Sequence, residues 1–286
     1  MQILVQQIAN GLMLGSTYAL IALGLTLIYG IMHIPNFALA TQGMVAAFIT
    51  YFLMVSLKFS YWPAVVLSVL SACALGIAIE RGIFYPLRKS PHVNFFISAL
   101  GLMLILENVV LIIAGGDQKK IEAGYGEVLT ILGFTTTGQR LLVIGIGILL
   151  LAACYLLIKK NKYGIAIAAT AQEPQGAQLV GINTSNVHMM TFALGSGLAA
   201  IAINLVGPIY LIYPAMGHTP IAKAFVVVIL GGMGSIPGAV MGGYLLGLLE
   251  SLGAGYISSH FADLFSFLVM VVVLYFKPTG FFGEKQ

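Results

Sequence analysis

The sequence predicts an all-α polytopic membrane protein of about eight to ten transmembrane helices, several of them broken. Three observations carry this. Only 8% of the 286 residues are charged, against 59% hydrophobic and a mean hydropathy of +1.01; a soluble domain carries about 25% charged residues. Before Glu80 the chain holds one charged side chain, Lys58, and no soluble fold hides that much apolar length. The 34 glycines suit helices that approach closely in lipid. The formal net charge of +4 is no nucleic-acid signal, because the basic residues sit at span ends, where orientation is decided.

Span 1 runs from about Ile8 to Gly30, with a stripe of Gly11, Gly15, Ser16, Ala19 and Ala22 for contact with a neighbouring helix. It has no basic leader region and is too long for a cleaved signal, so it is expected to stay as a span. His33-Ile34-Pro35-Asn36 interrupts the apolar run, since proline removes a donor and pushes its predecessor out of helix. Span 2 covers about Ala38 to Leu57 and span 3 about Trp62 to Ile83, with Tyr61 and Trp62 as an interfacial belt. Arg81, Arg88 and Lys89 form a basic cluster expected in the cytoplasm. Span 4 is about Asn94 to Ala114. The mixed, slightly acidic segment of about 115–139 is expected as a periplasmic loop. Span 5, about Leu141 to Ile158, returns to three lysines, Lys159, Lys160 and Lys162. The positive-inside rule agrees at both basic loops. Span 6 runs about Val187 to Val206 and turns outside near Gly207-Pro208. A short apolar segment from about Pro220 to Leu230 follows, then Gly231 to Pro237, then spans at about Gly238 to Ser251 and Leu264 to Phe276. The tail with Lys277 and Lys285 is expected in the cytoplasm. Counting back gives about nine crossings and an outer N-terminus, and the chain reads as one transmembrane domain, 1–286.

The segment of about 159–187 is the one sizeable stretch, besides the segment near Asp117, that does not read as embedded. Glu173 is followed by Pro174, which is free to open a helix, and Gly181 can close it. A short helix from Gln175 to Val180 is therefore expected, displayed between two spans on the lysine-marked side. A chain that is otherwise soluble in hydrocarbon needs a reason to show such a knob, and the reading is a handle for another protein.

Other features point inward. GIMHIP (Gly30 to Pro35) and GMGSIP (Gly232 to Pro237) echo each other. Paired Gly/Pro interruptions in a transporter mark its substrate path, because irregular backbone at depth must face protein or a cavity; two unrelated turns is the plain alternative. Glu107, Lys223 and Glu250 lie within apolar stretches, with Asp263 at an edge. Each is too costly to face lipid. Lys223 could line a path or pair with Glu250, or it could snorkel to the outer interface. His33 and His188 read as hydrogen-bonded residues at span ends. Cys73 and Cys154 read as inert membrane thiols. No GxxxxGK[ST] phosphate loop, HExxH, nucleophile–base pair, metal cluster or row of relay acids is present in the sequence.

These residues carry a resemblance. Gly15 to Ile31, Ile34 to Ala38, Leu179 to Val187, Lys223 to Phe225, Gly231 to Gly243 and Lys277 to Gly283 are similar, in order from the first span to the tail, to the branched-chain amino acid ABC importer permeases of the LivH type. The resemblance implies a type II-like permease bundle in a bacterial inner membrane. It implies a second, LivM-like permease or a second copy of the chain, two cytoplasmic ATPases, and a periplasmic binding protein. It implies no catalysis and no cofactor here, ATP and Mg being bound by the ATPases. Residues matching the family's coupling segment are Ala171, Gln172, Glu173, Pro174, Gln175, Gln178, Leu179, Val180, Gly181 and Asn183. Candidate path residues are Pro35, Asn36, Phe37, Lys223, Gly234, Ser235 and Pro237. Two departures stand out: Asn36-Phe37-Ala38 continues Leu39-Ala40-Thr41 where members usually have His-Gly-Glu, and Gly164 to Ala171 lacks the usual arginines. The implied cargo is a branched-chain or other hydrophobic amino acid. Urea, short amides and aromatic or other carboxylates are the alternatives within the same permease type, and a stand-alone secondary transporter is the rival outside it.

Overall fold

The computed structural model describes residues 2–88, 90–131, 134–258 and 262–283; Lys89 and Lys285 of the expected basic sites lie outside them. Among the described residues, eight helical stretches are long and apolar enough to cross a membrane. They are α1 (Gln2–Met32), α2 (Leu39–Ser56), α3 (Tyr61–Ile79) running on through a π segment (Glu80–Phe84) into α4 (Tyr85–Leu87), α5 (His92–Ala114), α6 (Gly138–Lys160), α9 (Thr184–Val206), α10 (His218–Gly231) with the 3₁₀ turn Pro214–Gly217 before it, and α11 (Ile236–Tyr256). A shorter apolar helix, α12 (Ala262–Phe276), follows. Between α6 and α9 lie α7 (Lys162–Gln172) and α8 (Pro174–Leu179).

The bundle is built around α1, whose apolar window is 89% buried. Its small residues are the reason. A Cβ at Gly11 or Gly15 would sit 2.8 Å from the Cα of Leu248 or Tyr244 on α11, so only glycine lets the two backbones meet. The pairs Gly11–Leu248 and Gly15–Tyr244 show that α1 and α11 are antiparallel. Of the predicted stripe, Gly11, Gly15 and Ala19 serve α11, whereas Ser16 faces Gly147 of α6 and bonds to Tyr244 at 3.1 Å. On its other side α1 meets α9, Gly24 against Gly195.

The contacts order the two ends. Ile31 of α1, Ile167 of α7 and Val187 of α9 share one cluster, which defines a lysine end beside Lys159. The hairpin of β1 (Val128–Ile131) and β2 (Phe134–Thr137), antiparallel with Val128 opposite Thr137, defines the other, hairpin end. Lys119 there pairs by backbone with Ile212, both bonds 2.8 Å, so the two expected outer loops lie together. The chain termini fall at opposite ends: Gln7 lies beside Gly255 at the hairpin end, while the tail returns to α10, Phe281 N–H donating to Leu230 O at 2.8 Å.

Polar groups lock the spans in register. Thr50 donates to Ser68 at 2.8 Å, Asn204 donates to Ser68 at 3.0 Å, and Tyr61 OH donates to Asn204 O at 2.9 Å. This corrects one expectation. Tyr61 is only 4% exposed and ties α3 to α9, rather than sitting in an interfacial belt; Trp62 does reach the hairpin-end segment, donating to Tyr125 OH at 2.9 Å. The basic cluster holds an acid that the sequence reading did not pair with it. Arg88 folds back onto Glu80, which is fully buried in the π segment. An extra residue in a helical turn re-aims the side chains around it, and here it accompanies an inward-facing acid that hydropathy reading passed over.

Candidate functional site

Two regions of the molecule collect the predicted residues. The first is the displayed segment at the lysine end, which proves mostly helical. Asn161 accepts from Tyr163 N–H at 3.3 Å and starts α7, which presses Ile167 into the lysine-end cluster. Glu173 then breaks the helix with an extended backbone and caps the next one, its Oε1 accepting from Gln175 N–H at 3.4 Å. Pro174 opens α8 in the position that needs no donor. Gly181 ends it at φ +85°. Ile182 N–H donates to Ala177 O and Gly181 N–H to Gln178 O, each 3.0 Å; this paired closure is the Schellman motif. Gln178 donates to Thr184 at 3.0 Å, and Asn183 caps α9 through Asn186 N–H at 3.2 Å.

The result is a stiff knob welded to the start of α9. Ala177 faces inward at 4% exposure, while Leu179 and Val180 are 89% and 77% exposed. Two neighbouring aliphatics are thus held out on a turn closed at both ends. Glu173 is spent partly as a cap, and Ala171 packs against the lysine-end cluster beside Ile167. The predicted start and stop were legible because Pro and Gly each had one place to sit.

The second region is the chain break after α1. His33 takes φ +55°, a strained value for a residue with a side chain. Asn36 is 1% exposed and folds over the start of α2, accepting from Ala38 N–H at 3.1 Å. Phe37 is wedged between Phe225 of α10, 4.4 Å away, and Phe96 of α5, 5.1 Å away. The first turn of α2 backs onto the turn before α10, since a Cβ on Gly217 would lie 3.0 Å from Thr41 Oγ1. From there α2 runs beside α9, Gln42 meeting Ser196 and Gly43 meeting Ala199, whereas α10 runs the opposite way beside α11, Val227 meeting Gly242. The start of α2 therefore meets the 3₁₀ turn Pro214–Gly217 that leads into α10. Gly234, Ser235 and Pro237, the partner suggested by the sequence echo, lie instead in the α10–α11 turn, where Ser235 caps α11 through Gly238 N–H at 3.2 Å and the tail packs on Gly232.

The embedded charges are paired. Lys223 is 1% exposed and reaches Glu250 at 3.0 Å, Asp263 at 2.8 Å and Ser266 at 2.8 Å. Tyr18 donates to the other oxygen of Glu250 at 3.2 Å. This network ties α10 to α1, α11 and α12, and of the readings open for Lys223 it fits the pairing with Glu250, not snorkelling. Glu107 meets His218 at 2.7 Å, joining α5 to the first residue of α10. Sequence reasoning missed Glu80, whose partner Arg88 lies eight residues on, two turns along a continuous helix; that spacing was the available signal. His188, expected at a span end, is the fifth residue of α9.

The family model for the permease component of branched-chain amino acid transport systems matches residues 7–274. The chain is 35% identical to the high-affinity branched-chain amino acid permease BraD of Pseudomonas aeruginosa, over 98% of this chain and 96% of that one. It is 35% identical to LivH of Escherichia coli over the same shares. It is 29% identical to a probable LivH of Methanocaldococcus jannaschii, over 92% of this chain and 88% of that one.

Proposed function

This chain belongs to the family of branched-chain amino acid transport permeases, and on that premise we propose that it moves branched-chain or similar hydrophobic amino acids across a bacterial inner membrane, driven by separate ATPases docked at its lysine end. It is a multi-pass membrane protein and a permease. The observation that carries the proposal is the α8 knob. A membrane bundle gains nothing by exposing Leu179 and Val180 on a turn closed by Glu173, Pro174 and Gly181, unless another protein covers them. In this reading the lysine end is cytoplasmic, as the positive-inside rule requires, which puts the N-terminus outside and the C-terminus inside. The whole chain, 1–286, is one permease domain. It pairs with a second permease, LivM-like or its own copy, and receives cargo from a periplasmic binding protein at the hairpin end.

The mechanism follows from how the knob is attached. Gln178–Thr184 and the Asn183 cap make α8 and α9 one body, so a pull on α8 turns α9. Helix α9 packs on α1, α2 and α3 through Gly195, Ala199 and Ser196, and the first two of these flank the break at Pro35. Phe37, held by Phe96 and Phe225, is the side chain that such a movement would shift, and Pro35 and Asn36 are the hinge of its loop. Gly234, Ser235 and Pro237 let α11 start sharply. Lys223 and Glu250 act by holding α10, not by touching cargo. ATP and Mg stay on the ATPases, and this chain contributes shape and motion.

The test is reconstitution with the ATPases, a second permease and the binding protein in liposomes. ATP-dependent uptake of L-leucine that stops without any one component is the expected result. Uptake by the permease alone, driven by a proton gradient, would overturn the proposal.

A further inference from the structure

We propose that the outward face of α5, together with the first turn of α10, is the surface on which the second permease subunit sits, with Glu107, Asn108, His218 and Thr219 as its polar centre. This rests on the transport reading, which calls for a second permease, and adds the face that receives it.

The depth of these residues carries the argument. Helix α5 begins near the lysine end of α9, where Phe84 stands between Phe95 and Phe192, and it ends at Ala114 just before the hairpin-end segment. At about 1.5 Å per residue, Glu107 lies about 10 Å inside the outer end of α5 and about 22 Å from its start. Only 17% of the apolar window of α5 is buried, so most of the helix faces away from the bundle. Exposed Leu104 and Ile105 suit lipid there. Their neighbours do not. Glu107 and His218 meet at 2.7 Å, yet their side chains stay 21% and 46% exposed. Asn108 is exposed and gives its Nδ2 to Leu104 O at 2.8 Å, which leaves its amide oxygen without a bond among the described residues. Exposed Thr219 follows His218 on the same turn.

Elsewhere this chain seals such groups inside: Lys223 is 1% exposed and Glu80 fully buried. The Glu107–His218 pair is left open on the outer surface. Hydrocarbon offers no hydrogen bonds, so ionisable side chains at this depth face protein or water. A water-lined wall does not explain the large aliphatics beside the pair, whereas another membrane helix meets both, packing on Leu104 and Ile105 while offering a hydroxyl or amide to Asn108 and Glu107. A second copy of the chain would bring its own Asn108, and two amides are self-complementary across a twofold axis.

The experiment places photoreactive p-benzoylphenylalanine at Asn108, Thr219 or Leu149 in the assembled complex in nanodiscs. Leu149, on α6 and 67% exposed, is the lipid-facing control. Irradiation should join the second permease to the probe at Asn108 and Thr219 and not at Leu149, and mass spectrometry of the adduct identifies a paralogue or a second copy. In parallel, Asn108→Leu should weaken retention of the second permease roughly fivefold in detergent while the melting midpoint of the chain alone stays unchanged. A leucine facing lipid would cost no retention. Adducts with lipid only, adducts with the second permease from Leu149 only, or none from any position in a complex that still holds its second permease would refute this face alone. A chain that retains no second permease from its native membrane and takes up amino acid by itself refutes the transport reading.

Discussion

Replacing Leu179 with Asp separates docking from folding. Leu179 is 89% exposed and its neighbour Val180 77%, so the permease spends almost no burial energy on either. An exposed substitution of this kind shifts stability by no more than about 0.5 kcal/mol. Docked against an ATPase groove, the same leucine would contribute roughly 1.5–3 kcal/mol of burial, and an aspartate there adds the cost of desolvating a charge. The loss should exceed about 2 kcal/mol, or roughly thirtyfold in affinity. The assay is capture of the ATPase by tagged permease in mild detergent, titrated, with thermal melting of the permease in parallel. Capture weakened thirtyfold at an unchanged melting midpoint is the expected outcome. If L179D captures the ATPase as wild type does, the knob is not the docking point and the reasoning from exposure fails. The contrast is Ala177→Asp, at 4% exposure, which should lower the melting midpoint itself.

Three further outcomes follow from the packing. Glu80→Ala leaves the Arg88 guanidinium beside a buried hole, and breaking one side of such a pair costs about 3–5 kcal/mol, read as a large fall in melting temperature. Lys223→Ala should be similarly destabilising, because Glu250 loses its cation; the double variant Lys223→Met with Glu250→Gln should lose less than the two single changes added, a coupling that a melting-based double-mutant cycle measures. Gly181→Val forces φ +85° on a β-branched residue at a cost of about 1–3 kcal/mol, loosening the end of α8, so ATPase capture should weaken while the spans still insert.

Much of the fold was legible because hydrocarbon imposes simple rules on a chain. Runs near twenty residues became spans, and Pro174 and Gly181 bracketed α8 to within a residue of its observed Pro174–Leu179. For Lys223 the sequence left pairing with Glu250 open beside snorkelling to the interface, and the fold makes the pair. Glu80 escaped notice because hydropathy averages over a window, and one acid before Arg81 reads as the end of a span. Tyr61 was placed at an interface from its type, whereas its hydroxyl has Asn204 O to bond in the interior.

By itself the sequence determined the solvent, the approximate crossings, the displayed helix and its caps, since these depend on local backbone rules and on which side chains lipid will accept. Which helices meet depended on tertiary structure. Gly15 could have served any neighbour, and Tyr244 of α11 takes it. The chain after the break at Pro35 meets elements far along the sequence, Thr41 beside Gly217 and Phe37 locked between Phe96 and Phe225. Arg140 and Glu250 are 110 residues apart in the chain and share one cavity. Sequence spacing reports neighbours along a helix; close packing between helices is decided by whole surfaces fitting at once, and only the fold expresses that.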